Sequence, residues 1–370
     1  MNRGKVNSVI DLYMTDRRGF LKAASALGLG VAMTPVFGRS SEAAATLSYF
    51  GWNGYEIPEL HTAYTKAYGG EPTATFFSDE EEALQKVRAG FNPDVIHPCV
   101  NTVRRFKDAG LIKPLDTKQI AGWDNIFPQF LSVKDVKEED GYYIMPFDWG
   151  TSSVIYRPDL VDIKEESWTI FLDDRYKGKM AFLDSPDNIA AVAGLLSGAK
   201  NPMDMNDEEM AKASDILRHM NSNMRFYWTD NTELEQSLAS GEVVAAWGWG
   251  QSVNNLKKQG VDIKMMNPKE GIMTWICGLT STVKGKCSDK ERYDFMSAML
   301  APESGKYLIE QYGYGHANQE SFKVASPESV ALLGFKDPND FLKTGNFFTA
   351  VEPAKREKIQ AMWATIKAGG

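Results

Sequence analysis

From residue 46 onward, short apolar runs alternate with amphipathic stretches. "TLSYF" (46–50) reads as a strand, "IPELHTAYTKAYG" (57–69) spaces its apolar residues as a helix does, and "PTATFF" (72–77) returns to strand. Ser78 followed by Glu81 is a capping-box signature for a helix over "DEEEALQKVRAG" (79–90). "PDVIHP" (93–98) is a short strand and "NTVRRFKDAGLIKPL" (101–115) a helix with a turn. Such alternation predicts βαβ units: an α/β fold with a largely parallel sheet and helices on both faces. "YYIMPFDWGTSSVIYRPD" (142–159) then joins two strand-like runs through a Pro-aromatic-Asp-Trp-Gly segment. A Trp-led helical turn in "SWTIFLDDRYKGKMAFLD" (167–184) opens a second α/β pattern, which runs to about residue 265 and includes the strand "EVVAAWGWG" (242–250). "WICGLTSTV" (275–283) is again a strand, and the rest is mostly helical. With no repeats and no Pro/Ser-rich tether, two lobes joined by strand crossovers are expected, with a ligand at the strand carboxyl ends.

The 370 residues are enough for two domains, and 43% hydrophobic with 24% charged residues describes a soluble globular chain. A net charge of −8 argues against nucleic acid as a partner, since nucleic-acid binders carry a basic footprint. The N-terminus changes the picture more. "DRRGFLKAASALGLGVAMTPVF" (16–37) places Arg17 and Arg18 before an apolar run, and Ala43 and Ala45 follow as the small residues a signal peptidase needs. The pattern is similar to a twin-arginine export signal, with Asp16 where Ser or Thr is usual. The run is too short and glycine-rich for a membrane span. Residues 1–45 are therefore expected to be cleaved after passage through the twin-arginine translocase, leaving a soluble periplasmic protein. Cys99, Cys277 and Cys287 leave at least one thiol unpaired within the chain, and the sequence does not say which pair, if any, is bridged.

Aromatic residues gather at strand ends and glycine-rich turns. Trp52 and Tyr55 follow the first strand, Trp149 lies in "PFDWGTS", and Trp247 and Trp249 flank Gly248. Trp275 opens a strand, and Tyr312 and Tyr314 sit in "QYGYGHAN". Trp123, Trp168, Trp228 and Trp363 fall where packing residues are expected. Any one of these rings could simply fill the space between lobes. Together they suggest an aromatic-walled cleft, which in an acidic protein suits a small organic cation. No G-x-S-x-G, C-x-x-C, H-E-x-x-H or Walker motif is present, so no motif points to an enzyme, a cofactor or a metal site. The rival reading is a metal-binding receptor or exported metalloenzyme using His97, Cys99, Cys277 and His316.

Seven landmarks together resemble the periplasmic spermidine/putrescine-binding type of solute receptor from ABC importers. They are "WNGYEIPEL", "SDEEEALQKVRAGFNPDVIHP", "AGLIKPLD", "YYIMPFDWGTSSVIYRPD", "SWTIFLDDRYKGKMAFLD", "NPKEGIMTW" and "YGYGHAN", in that order across nearly all of the mature chain. The resemblance implies a two-lobed periplasmic-binding-protein fold of type II. Lobe 1 would be residues 46–150 plus about 276–325, and lobe 2 residues 151–275 plus about 326–370. It implies a monomeric, non-catalytic receptor that delivers its solute to a membrane permease with its ATPase.

It also implies that Trp52, Tyr55, Trp249, Trp275 and Tyr314 sandwich an aliphatic amine. The acidic positions depart from the pattern. Ser185 and Asn188 stand where carboxylates are usual, Cys277 where an Asp is usual, and Cys99 and Asn101 where a Ser and a Tyr are usual. Asp148, beside Trp149, is the candidate replacement carboxylate, with a turn cap as its plain alternative. A primary ammonium needs acceptors when desolvated, whereas a quaternary one is satisfied by aromatic faces. Choline, betaine or 4-aminobutyrate is therefore the alternative to a polyamine.

Overall fold

The computed structural model describes residues 45–77, 79–333, 338–339, 342 and 346–369. The expected export signal, apart from Ala45, lies outside the described residues, as does Ser78. Helices and strands over residues 48–108 fall close to where the pattern puts them. Strands Ser48–Trp52, Thr73–Phe77 and Val95–Ile96 alternate with helices Thr62–Tyr68, Glu80–Arg88 and Val100–Asp108. The cap of the Glu80–Arg88 helix is Asp79, whose carboxylate accepts from the Glu81 and Glu82 N–H groups.

The sheet corrects the expectation of a largely parallel arrangement. Among the described residues its strands run in the order Thr73–Phe77, Ser48–Trp52, Val95–Ile96, Met273–Thr282, Met145–Tyr156, Ala245–Trp249, Met180–Leu183, Met224–Trp228. The three strands at each end are parallel neighbours. The two long central strands are antiparallel to each other and to the neighbours that flank them. Two strand-like runs were expected over 142–159; the chain instead forms one 12-residue strand, Met145–Tyr156.

That strand and Met273–Thr282 pass through two separate hydrophobic cores. Tyr49, Val95, Phe106, Phe147, Trp149, Ile276 and Leu279 belong to the first. Val154, Ile155, Phe182, Leu217, Trp247 and Met273 belong to the second, with Ile359 and Trp363 from the Pro353–Lys367 helix. The ladder between the long strands shifts register between Cys277 and Gly278, with Gly278 opposite Pro146. A proline has no N–H to offer a ladder, so an irregularity is where a central strand can accept one. Gly278 is required there: a Cβ would stand 2.1 Å from Met145 O.

Candidate ligand cleft

Opposed residues of an antiparallel ladder point to the same face. Trp249 stands opposite Ser152, Ser152 opposite Met273, Gly150 opposite Trp275, and Asp148 opposite Cys277. One sheet face at the junction of the cores therefore carries Trp249, Trp275, Asp148 and Cys277. Gly150 makes room for this arrangement: a Cβ there would lie 2.4 Å from Trp275 Cζ2, so the indole lies against bare backbone. Trp275 meets Tyr314 edge to face at 4.9 Å, Tyr314 meets Tyr312 at 6.3 Å, and Tyr312 meets Tyr55 at 5.7 Å. The Tyr312 hydroxyl donates to Gly54 O at 2.5 Å, which ties the 312–314 turn to the loop after the first strand.

Asp148 is the polar centre of this group. It is 1% exposed and accepts from the Tyr55 hydroxyl at 2.6 Å and from His97 Nε2 at 2.8 Å. His97 Nδ1 in turn meets the Tyr49 hydroxyl at 2.8 Å. Burial, with Asp148 as the next cause, holds the Tyr49 and Tyr55 phenols well above their usual range, so both keep their protons. The arrangement that uses every donor has Tyr49 donating to Nδ1 and Nε2–H donating to Asp148. Asp148 is thus bonded to a phenol and an imidazole, and among the described residues no Lys or Arg pairs with it. A buried carboxylate of that kind gains from a positive ligand group.

The far wall comes from the second core. Trp249 packs against Trp228 and Trp247, each at 5.2 Å. The helix Gly250–Lys258 starts directly after it, and Gln251 Oε1 accepts from the Tyr314 hydroxyl at 3.0 Å. Sequence reading missed Gln251, although its place just beyond a strand's carboxyl end is the position where such folds bind ligands. It also missed Glu80, whose Oε1 accepts from the Cys99 N–H and the Thr102 hydroxyl, both at 2.6 Å. Burial pushes that carboxyl up to about 7, against the two hydrogen bonds.

Not every expected residue joins the group. Trp149 is 1% exposed, bonds His316 O through its indole and packs on Phe130, so it is a core residue. It follows Asp148 in a strand and must face the opposite side. Trp247, also 1% exposed, shares the face of Trp249 but is covered by Phe182, Trp228 and Trp249 in the second core. Trp52 lies against Phe77 at 4.6 Å, and among the described residues no ring contact links it to Trp249 or Trp275. Ser185 caps the Pro186–Ser197 helix and accepts from Asn188 Nδ2 at 2.8 Å, so the two satisfy each other. Asn101 is half-buried in the first turn of its helix.

Cys99 and Cys277 form a disulfide, while Cys287 is a buried free thiol that burial pushes up to about 12. The residues of the metal reading are thus engaged elsewhere. His316 is held by Ser321 and Met299 O, and burial lowers it to about 4.

The family model for bacterial extracellular solute-binding proteins matches residues 59–339. The putrescine-binding periplasmic protein PotF of Escherichia coli (strain K12) is 25% identical over 367 residues, covering 94% of this chain and 98% of the relative. The spermidine/putrescine-binding periplasmic protein of the same organism is 25% identical over 356 residues, covering 94% and 98%. Among solved structures, the spermidine/putrescine ABC transporter substrate-binding protein PotD from Streptococcus pneumoniae superposes with a TM-score of 0.76. Its identity is 20%, with 88% of this chain and 99% of that one covered. The two-lobed periplasmic-binding-protein fold is therefore the fold of this chain.

Proposed function

We propose, from the premise that this chain belongs to the bacterial extracellular solute-binding protein family, that it is the periplasmic receptor of an ABC importer for a small organic cation of polyamine type. The observation that carries the ligand's charge is Asp148, buried at the junction of the two cores and bonded to Tyr55 and His97 rather than to any Lys or Arg of the described residues. The relatives' names supply the polyamine class, and the chain of rings from Tyr55 to Trp275 supplies faces for an alkyl ammonium.

The lobes are residues 46–150 with about 276–325, and 151–275 with about 326–370. The division of buried side chains between two cores supports this reading. The receptor is a non-catalytic monomer, exported by the twin-arginine route. It closes on its solute and presents the closed form to a permease with its ATPase. Closure is favoured only as far as the ligand touches both lobes.

Calorimetry with putrescine, spermidine, choline, glycine betaine and 4-aminobutyrate tests the reading. At least one of the cations should bind, and Asp148→Asn should weaken that binding tenfold or more, about 1.4 kcal/mol. Tight binding that ignores Asp148→Asn, or binding only of anionic solutes, would remove the cation reading. Preference for choline or betaine over both polyamines would select the quaternary-ammonium alternative.

A further inference from the structure

The helix Val100–Asp108 and the strand Met273–Thr282 are joined by backbone and by sulfur. Gly278 N–H donates to Pro98 O at 2.9 Å. One residue further along each strand, Cys99 and Cys277 face each other across an antiparallel bridge and form a disulfide, with Cα atoms 3.7 Å apart. Cys99 is the N-cap residue of the helix, and its N–H is held by Glu80. Cys277 stands opposite Asp148, at the last position before the register shift. The bond therefore ties a helix N-terminus to the crossover strand at the rung that carries the cleft's buried carboxylate. Without it, the rung at Asp148 keeps only the Gly278–Pro98 hydrogen bond on this side. The Thr280–Ile96 and Ser281–Val95 pairs, and the bonds of Thr280 to Ile96 O and of Thr282 to Asp94 O and Pro93 O, hold the strand further on. Cys99 is half-buried and Cys277 is 4% exposed, so Cys99 is the less covered side of the bond. Cys287 is buried and is no competitor for exchange.

We propose that the Cys99–Cys277 disulfide is a positioning element of the ligand site. It holds the floor around Asp148 in its binding geometry, and its reduction lowers ligand affinity while both cores stay folded. The reductant is a dithiol. Its two sulfurs form their own disulfide as the Cys99–Cys277 bond breaks, and two electrons and two protons pass to the cysteines as thiols. Unfolding temperature is no test. A bridge between residues 178 apart restrains the unfolded chain whether or not it positions anything.

The test is amide hydrogen exchange on the full mature chain at 20 °C with and without dithiothreitol, with thiol titration to confirm reduction and putrescine titration of both forms. The affinity arm rests on the proposed cation reading; the exchange arm does not. Reduction should speed exchange at 99–103 and 274–279 about tenfold or more. It should leave the Met180–Leu183 and Met224–Trp228 strands unchanged and weaken putrescine binding several-fold, with reoxidation restoring both. Cys287→Ser should behave as wild type, and Cys99→Ser/Cys277→Ser as the reduced form. Unchanged local exchange, local loosening with unchanged affinity, or uniform acceleration through both cores would each overturn the proposal. If putrescine binds neither form, the affinity arm is run with whichever solute of the calorimetry panel binds. If none binds, the ligand reading fails and the exchange pattern alone decides whether the bond holds this floor.

Discussion

Gly150 and Gly315 show how single atoms set the site. A Cβ on Gly150 would meet Trp275, and one on Gly315 would lie 2.2 Å from Trp149 Cε2. The two indoles differ in role, so the two substitutions should separate. Gly150→Ala should displace Trp275 and weaken cation binding at least several-fold. Gly315→Ala should overpack the core around Trp149 and lower stability by about 1–3 kcal/mol, with affinity of the folded protein kept. Titration and thermal melts of both variants check the pair; equal effects on both readouts would contradict the assignment. At this scale the sequence was only partly legible. Asp148 stood out as a carboxylate beside aromatics at a strand junction, but its sequence context suited a turn cap equally well. Trp149 was misplaced, although alternation along a strand already forbids neighbours from sharing a face. Gln251 and the Cys99–Cys277 pairing need three-dimensional register, which local pattern does not carry.

Glu80 belongs to one helix and caps the next, and its ionisation links them. Folding raises its carboxyl from the usual 4.5 to about 7, so between those values the folded state holds more protons than the unfolded one. Its contribution to stability is therefore greatest below pH 4.5 and falls as pH rises to about 7, by up to about 3 kcal/mol. His316 works in the opposite sense. Its imidazole is lowered from 6.5 to about 4, so its contribution is full above pH 6.5 and is lost as pH falls to about 4. The two nearly cancel in the wild type. Glu80→Gln, which keeps an acceptor oxygen for the cap, should leave stability rising from pH 4 to 6.5; denaturant melts across pH 4–8 would show it. A Glu80→Gln profile with the same pH slope as wild type would mean the carboxyl is not desolvated in the fold.

Most helices were legible from the 3.6-residue spacing, and strands from their β-branched and aromatic content. The 12-residue central strand was not, because Pro146 and Gly150 read as breaks. Tertiary context overrides both: the register shift accepts the proline and the Trp275 ring occupies the space above the glycine.

Across the whole molecule, charged pairs span the two cores. Arg356 on the second core's Pro353–Lys367 helix bonds Asp187 Oδ2 at 2.9 Å and lies 3.5 Å from Glu81, on a helix of the first core. Arg104 of the first core meets Glu352 at 2.6 Å. Partly exposed pairs of this kind contribute roughly 0–1 kcal/mol each and are screened by salt. Their effect should appear in closure rather than in folding. Arg356→Ala should shift the unfolding temperature little, weaken ligand binding by roughly twofold to fivefold, and reduce the salt dependence of the dissociation constant. A salt dependence identical to wild type would show that these pairs do not favour the closed form.

The interleaving of the two cores also sets an order for the chain as it leaves the ribosome. Residues 154–273 can gather most of the second core as one contiguous stretch. The segment made first, 46–149, has to wait, because its core includes Ile276, Leu279 and residues as late as Leu342. Until the Met273–Thr282 strand emerges, Val95–Ile96 and the Met145–Tyr156 strand each lack the neighbour that pairs with both. The oldest part of the nascent protein is thus the part that finishes late, and its open strand edges are where a chaperone would be needed and where premature aggregation would begin.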